Sequence, residues 1–123
     1  MTKSGLNHAQ YDAIKAEMKH ILIGLAKLGK TIYYSDLARQ IMSTTIHHRA
    51  PVFEHILQEL CADEIANGRP ILGVVVVNKQ TGRCGGGFYK WASVHGFDTH
   101  DNEAFWQSEW KRVLDYWQNS DSI

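Results

Sequence analysis

The stretch Arg69–Trp91 constrains the fold of this chain more than any other segment. It reads RPILGVVVVNKQTGRCGGGFYKW, which is a β-branched apolar run, then a polar and glycine-rich tip, then an aromatic run. This order predicts a β-hairpin with one strand over about Ile71–Val77, a loop over Asn78–Gly87 and a return strand from about Phe88. Consecutive valines are typical of a strand that is covered on both faces, so we expect the first strand to be buried.

Apolar residues at helical spacing predict four helices around this hairpin. Asn7 and Gly29 can cap the first helix, Ser35 the second, and Asp101 or Asn102 the last. The predicted elements before the hairpin are a helix over about His8–Leu28, a short strand over Lys30–Tyr34, a helix over Asp36–Met42 and a helix over Ala50–Ala66.

The predicted order is α-β-α-α-β-wing-β with an additional C-terminal helix, which is the order of a winged-helix domain of the α+β class. A chain of 123 residues with 44% hydrophobic residues can bury one core, so we expect residues 1–123 to form a single domain. No apolar run approaches the ~20 residues that span a bilayer. We therefore expect no membrane partner. The start of the chain does not resemble a secretory signal, and the two cysteines have no ligand-like spacing, so we expect a cytoplasmic protein with reduced thiols.

The charge of the chain is balanced in total but uneven along the sequence. The formal net charge is zero, which limits the affinity for nucleic acid. The hairpin segment nevertheless carries Lys79, Arg83 and Lys90 and no acid, whereas acids predominate from Asp98 onward. We predict that these three cations contact phosphates.

The third helix takes the place of a recognition helix. His48 and Arg49 precede it and can reach a nucleic acid, Arg49 at base edges. Its outward face carries Glu54, Glu59 and Asp63, which repel a duplex. We therefore expect nucleic-acid binding of low affinity.

Other chemical groups give weaker indications. The seven histidines and two cysteines match no zinc-ligand spacing, so we expect no metal and no cofactor. Cys84 lies beside Arg83 without a neighbouring base, so we expect a surface thiol and no catalytic residue. Trp106, Trp110 and Trp117 share one face of the last helix, where they either close the core or contact a partner.

Residues 29–41, GKTIYYSDLARQI, resemble the segment that opens the winged-helix domain of alkylguanine DNA alkyltransferases and alkyltransferase-like proteins. The resemblance extends over about Gly29–Tyr89 through Arg49-Ala50, Pro70-Ile71-Leu72 and the glycine loop. It implies a winged-helix shape and DNA contact near Arg49. The family's Pro-Cys-His-Arg active site follows the Pro-Ile-Leu, where this chain reads Gly73-Val74-Val75, so the resemblance does not imply alkyl transfer.

Two functions remain open from the sequence. The first is non-catalytic binding of nucleic acid, with double-stranded DNA as the expected partner. The second is a winged-helix protein–protein interaction module, for which a homodimer is one form. An enzyme or ligand site built on the glycine loop has the least support.

Overall fold

The computed structural model of the protein describes residues 6–119, which form a mixed α+β fold that is mostly helical. The helices are α1 (His8–Leu28), α2 (Tyr34–Gln40), α3 (Pro51–Ala66), α4 (Gly86–Val94) and α5 (Asn102–Gln118). Two short strands, β1 (Ile32–Tyr33) and β2 (Val76–Val77), pair in parallel, and a 3-10 helix (Leu72–Val75) precedes β2.

The ends of the long helices agree with the sequence. The side chain of Asn7 accepts a hydrogen bond from Gln10 N at 2.8 Å, and Gln10 returns one to Asn7 N at 3.0 Å, so the start of α1 is a capping box. Gly29 ends this helix with a φ of 70°, which favours glycine. At α5, the carboxylate of Asp101 accepts from Ala104 N at 3.0 Å. These predicted caps are confirmed.

The predicted cap of α2 is wrong. The helix begins at Tyr34, directly after β1, and Tyr33 is its N-cap residue. Ser35 therefore lies in the first turn of the helix rather than before it. The strand and the helix follow each other without a connecting residue because Tyr33 is both the last strand residue, opposite Val77, and the cap.

The predicted return strand of the hairpin is also wrong, because the chain from Gly86 forms α4. Phe88, Tyr89 and Ala92 are all buried on one side of this helix, whereas a strand would place Phe88 and Tyr89 on opposite faces. Both rings pack on Phe105 of α5, with ring centroids 6.0 and 6.3 Å away. The wing is not an antiparallel hairpin, and the winged-helix architecture is not confirmed.

The loop 78–85 closes on itself instead of extending as a hairpin tip. Asn78 N donates to Arg83 O at 2.9 Å, and the Asn78 side chain accepts from Thr81 N and Thr81 Oγ1 at 2.9 and 2.8 Å. Gly82 has a φ of 67°, so the turn requires a residue that tolerates the left-handed region. The loop is therefore compact and returns the chain to the core at residue 84.

The valine run lies at the centre of the molecule, where α1, α3 and α5 all pack on the 3-10 helix. Its predicted burial is confirmed, but only Val76 and Val77 form a strand. Before β2, side chains of α5 supply hydrogen bonds that a neighbouring strand would otherwise make. Trp106 Nε1 donates to Val74 O at 3.2 Å, and Glu109 Oε2 accepts from Ile71 N at 2.8 Å. These bonds satisfy backbone groups that are shielded from water.

Candidate nucleic-acid interface

A groove of about 430 Å³ lies where the segments that follow the two strands meet. Parallel strands end at the same edge of a sheet, so α2, which follows β1, and loop 78–85, which follows β2, start side by side. The loop before α3 completes the groove. We call it the basic groove, and its lining residues are Tyr33, Tyr34, Ser35, Arg39, His48, Arg49, Asn78, Lys79 and Gln80.

The basic groove collects positive charge from three segments that are distant in sequence. Arg39 comes from α2, His48 and Arg49 from the loop before α3, and Lys79 from loop 78–85. Within the described chain, residues 6–119, no acidic residue lines this groove. Three of the five residues that the sequence predicted as nucleic-acid contacts, namely His48, Arg49 and Lys79, therefore lie on one surface.

Local contacts shape the lining of the basic groove. The rings of His47 and His48 stack with their centroids 4.6 Å apart and an interplanar angle of 21°. Arg49 N donates to Nδ1 of His47 at 3.0 Å, which shapes the turn before α3. Across the groove, Lys79 Nζ lies 5.6 Å from the ring centroid of Tyr33, within the range of a cation–π contact.

Sequence reasoning missed Arg39. This side chain forms an ion pair with Asp36 one turn earlier in α2. It also lines an adjoining cleft of about 450 Å³, which shares Tyr33 and Arg39 with the basic groove. The signal was present, because the buried Leu37 and Ala38 on α2 leave Arg39 on the exposed side.

Glu17 on α1 holds the chain that leads from α2 into the groove. Its carboxylate accepts hydrogen bonds from Met42 N at 2.8 Å, from Ser43 N at 3.2 Å and from the Ser43 hydroxyl. The bond from the Ser43 side chain, followed by that from Met42, lowers the pKa of Glu17 below its ordinary value. Glu17 thus ties the start of the α2–α3 connection, at Met42 and Ser43, to α1.

Arg83, a predicted phosphate contact, is engaged elsewhere. Its Nε and Nη2 donate to the carboxylate of Glu103 on α5, each at 3.0 Å, and Nη1 donates to Gly82 O at 3.1 Å. The guanidinium also lies 4.0 Å from the ring centroid of Trp106. Arg83 therefore fixes loop 78–85 to α5. Lys90 is exposed on α4 and does not line the basic groove.

Two of the predicted repulsive acids on α3 form ion pairs or hydrogen bonds with side chains of α1. Lys15 Nζ lies 3.1 Å from Glu59 Oε1 and 2.5 Å from Asp63 Oδ2, and the Tyr11 hydroxyl donates to Glu59. Glu54 is half-buried, and burial raises its pKa. Two of the three predicted repulsive acids thus have partners on α1.

The expectation of a surface thiol at Cys84 is wrong. Cys84 is only 4% exposed, and its Sγ donates to Gly73 O and Val76 O at 3.4 and 3.3 Å. Burial raises the pKa of Cys84 to about 12, and it also raises the pKa of the buried Cys61. Both thiols are therefore protonated at neutral pH and are poor nucleophiles.

The aromatic face of α5 belongs to the core. Trp106 and Trp117 are each 4% exposed, and Trp110 stacks on Trp106 with ring centroids 5.4 Å apart. Of the two interpretations of this face, closure of the core is the one that the structure shows.

Comparison of the chain with protein-family models, with curated proteins and with solved structures finds no match. Among residues 6–119, none of the helices combines the length and the hydropathy that spanning a bilayer requires. The same residues contain no cluster of three or more histidines, cysteines or acids that could hold a metal ion. The basic groove is the candidate functional site of the described residues.

Proposed function

We propose that this protein binds nucleic acid without catalysis, and that the phosphate backbone of DNA enters the basic groove. The supporting observation is that Arg39, His48, Arg49 and Lys79 converge from three segments on a groove without an acidic lining residue. Phosphate contacts supply most of the affinity of such proteins. The groove also offers Gln80, whose amide can hydrogen-bond to phosphate or sugar.

The α2–α3 pair and the compact loop take the parts of a winged helix in this proposal. Arg49 lies two residues before α3, where a side chain can reach base edges in the major groove. Lys79 occupies the place of a wing residue and contacts a neighbouring phosphate. In this proposal, α2 and α3 face the DNA as in a winged helix, and loop 78–85 replaces the hairpin.

The charges predict a modest, salt-dependent affinity. Arg49 and Lys79 have no acidic side-chain partner within the described residues, whereas Arg39 is paired with Asp36. Lys79 neutralises a phosphate directly, and Arg49, at a base edge beside the backbone, adds a second positive charge that displaces counterions. Counting one charge for each, the slope of log K against log salt should be about −1.8 for duplex DNA. Raising the salt from about 50 to about 200 mM should weaken binding roughly 12-fold on the same relation.

The test is a salt titration of binding, measured by the fluorescence anisotropy of a labelled 20-base-pair duplex and of its single strand. Lys79→Ala should weaken binding to all sequences and reduce the slope by roughly 0.9. Arg49→Ala should cost ~1–3 kcal/mol and relax sequence preference. The matched control is Lys111→Ala, which removes the same charge from an exposed position of α5 and should leave binding unchanged.

If the parent protein shows no salt-dependent binding, the proposal is wrong and the interaction-module function replaces it.

The large exposed apolar side chains are spread over separate segments, so no single described element presents a broad apolar stripe. They are Leu28, Tyr33, Met42, Val94 and Tyr116. Sedimentation velocity of the free protein would report self-association directly.

A further inference from the structure

His48 lies in the basic groove among other positive or titratable groups. His47 stacks on it from the same loop, Arg49 follows it, and Lys79 and Arg39 reach the groove from loop 78–85 and α2. The strand side contributes the ring of Tyr33, and α2 adds Tyr34. Asp36 also lies on α2, but it is paired with Arg39 and lines the adjoining cleft.

These surroundings disfavour a charged imidazole while the groove is empty. Burial, and after it the charges of His47, Arg49 and Lys79, lower the pKa of His48 below its ordinary value. A phosphate among the same cations has the opposite effect, because its negative charge stabilises the imidazolium. Whatever favours the charged ring on binding must, by linkage, make binding depend on pH.

We propose that His48 is a proton-linked phosphate contact, so that the groove binds the nucleic-acid backbone together with one proton. This inference rests on the proposed function and adds a pH control to the same site. Affinity increases as the pH falls, because the bound state holds one proton more than the free state.

The contacts of the histidine pair assign the proton to His48 rather than to His47. Nδ1 of His47 accepts the hydrogen bond from Arg49 N at 3.0 Å, so the ring of His47 is engaged in the turn before α3. His47 does not line the groove, whereas the His48 ring that stacks on it does. His48 is therefore the histidine that holds the proton against the phosphate.

Two measurable quantities follow. Uptake of one proton raises the affinity by up to roughly tenfold per pH unit between the free and bound pKa values of His48. The additional cation also steepens the salt slope from about −1.8 in mild alkali to about −2.7 in mild acid. The two readouts are independent, because one follows protons and the other follows counterions.

The experiment repeats the salt titration on the labelled duplex at about pH 8 and about pH 5.5, on either side of the ordinary histidine pKa. It compares the parent with His48→Gln and with the control His20→Gln, which replaces an exposed histidine on α1. In the parent and in His20→Gln, affinity should rise at least ~10-fold in acid and the slope should steepen by about 0.9. In His48→Gln, both quantities should stay at their alkaline values.

The outcomes separate this inference from the proposed function. Salt-dependent binding that is insensitive to pH, or a pH dependence that persists in His48→Gln, overturns the inference and leaves the function intact. Absence of salt-dependent binding at both pH values overturns the proposed function and this inference together. NMR titration of the His48 ring in the unmodified protein avoids any folding defect of the variant. Its pKa should rise when the duplex is added, and an unchanged pKa overturns the inference.

Discussion

Gly73→Ala tests how closely the 3-10 helix packs at the centre of the molecule. A Cβ atom at this position would lie 2.9 Å from Cys61 Sγ on α3 and 3.1 Å from Phe88 Cε1 on α4. Ordinary contacts start at 3.4 Å, so the first distance is short by about half an ångström. Both neighbours are buried, and the added methyl group must therefore displace packed side chains.

The expected cost is that of overpacking. Gly73 is not among the described glycines with positive φ, so alanine meets no backbone penalty and the effect is steric. Insertion of a methyl group into a packed core costs about 1–3 kcal/mol, and we expect a loss of about 2 kcal/mol in the free energy of unfolding. Cys61→Ala in the same chain removes the sulfur and should restore ~1 kcal/mol through coupling between the two sites.

Urea unfolding followed by tryptophan fluorescence measures these differences from the midpoint at constant m-value. Gly24→Ala is the matched control, because Gly24 is exposed within α1 and a Cβ there meets nothing within 4 Å. This change should stabilise the protein by about 0.5–1 kcal/mol through helix propensity. A Gly73→Ala protein as stable as the parent, or one that Cys61→Ala does not relieve, would refute the packing described.

Three further predictions follow from other contacts. Glu17→Ala should accelerate amide exchange at Ser43. In the parent, the pKa of Glu17 in the folded protein lies below its unfolded value of about 4.3. The stabilisation that Glu17 gives to the chain at Ser43 is therefore complete above the unfolded pKa and is lost as the pH falls through the folded pKa. NMR of the Ser43 amide can follow this loss. Arg83→Ala should lower the melting temperature by removing the contacts to α5, yet leave the salt slope of DNA binding unchanged; a slope reduced by about one would return Arg83 to the phosphate contacts. Cys61 and Cys84 should both react slowly with an aromatic disulfide reagent at about pH 8 and rapidly in urea, since both are buried and both thiol pKa values are raised; prompt labelling of Cys84 alone would contradict its burial.

The candidate site shows how far sequence reasoning reaches. The sequence predicts His48, Arg49 and Lys79 as nucleic-acid contacts because each lies beside a turn or a helix start. The structure places the three in one groove, and their contact with nucleic acid stays a prediction. Arg83 has the same local features, but its guanidinium is bound by the carboxylate of Glu103, which is 20 residues away in the sequence. The sequence shows that a cation is present and does not show whether an acid already neutralises it.

The sequence by itself determined α1, α3 and α5, since the apolar spacing of all three and the N-cap side chains of α1 and α5 are local properties that each segment carries alone. It also determined that the valine run is buried, because no other position can hide so much β-branched surface.

Only the tertiary structure decided what surrounds that run. A glycine-rich turn followed by aromatic residues is compatible with a strand or with a helix. The segment forms the helix α4, in which Phe88 packs on Phe105, and this long-range contact is not contained in the local sequence pattern. The basic groove arose in the same way: parallel pairing of β1 with β2 brings Tyr34 and Asn78 side by side across 43 intervening residues. Long-range contacts of this kind select among local conformations of similar energy, and they place charges that the chain keeps far apart.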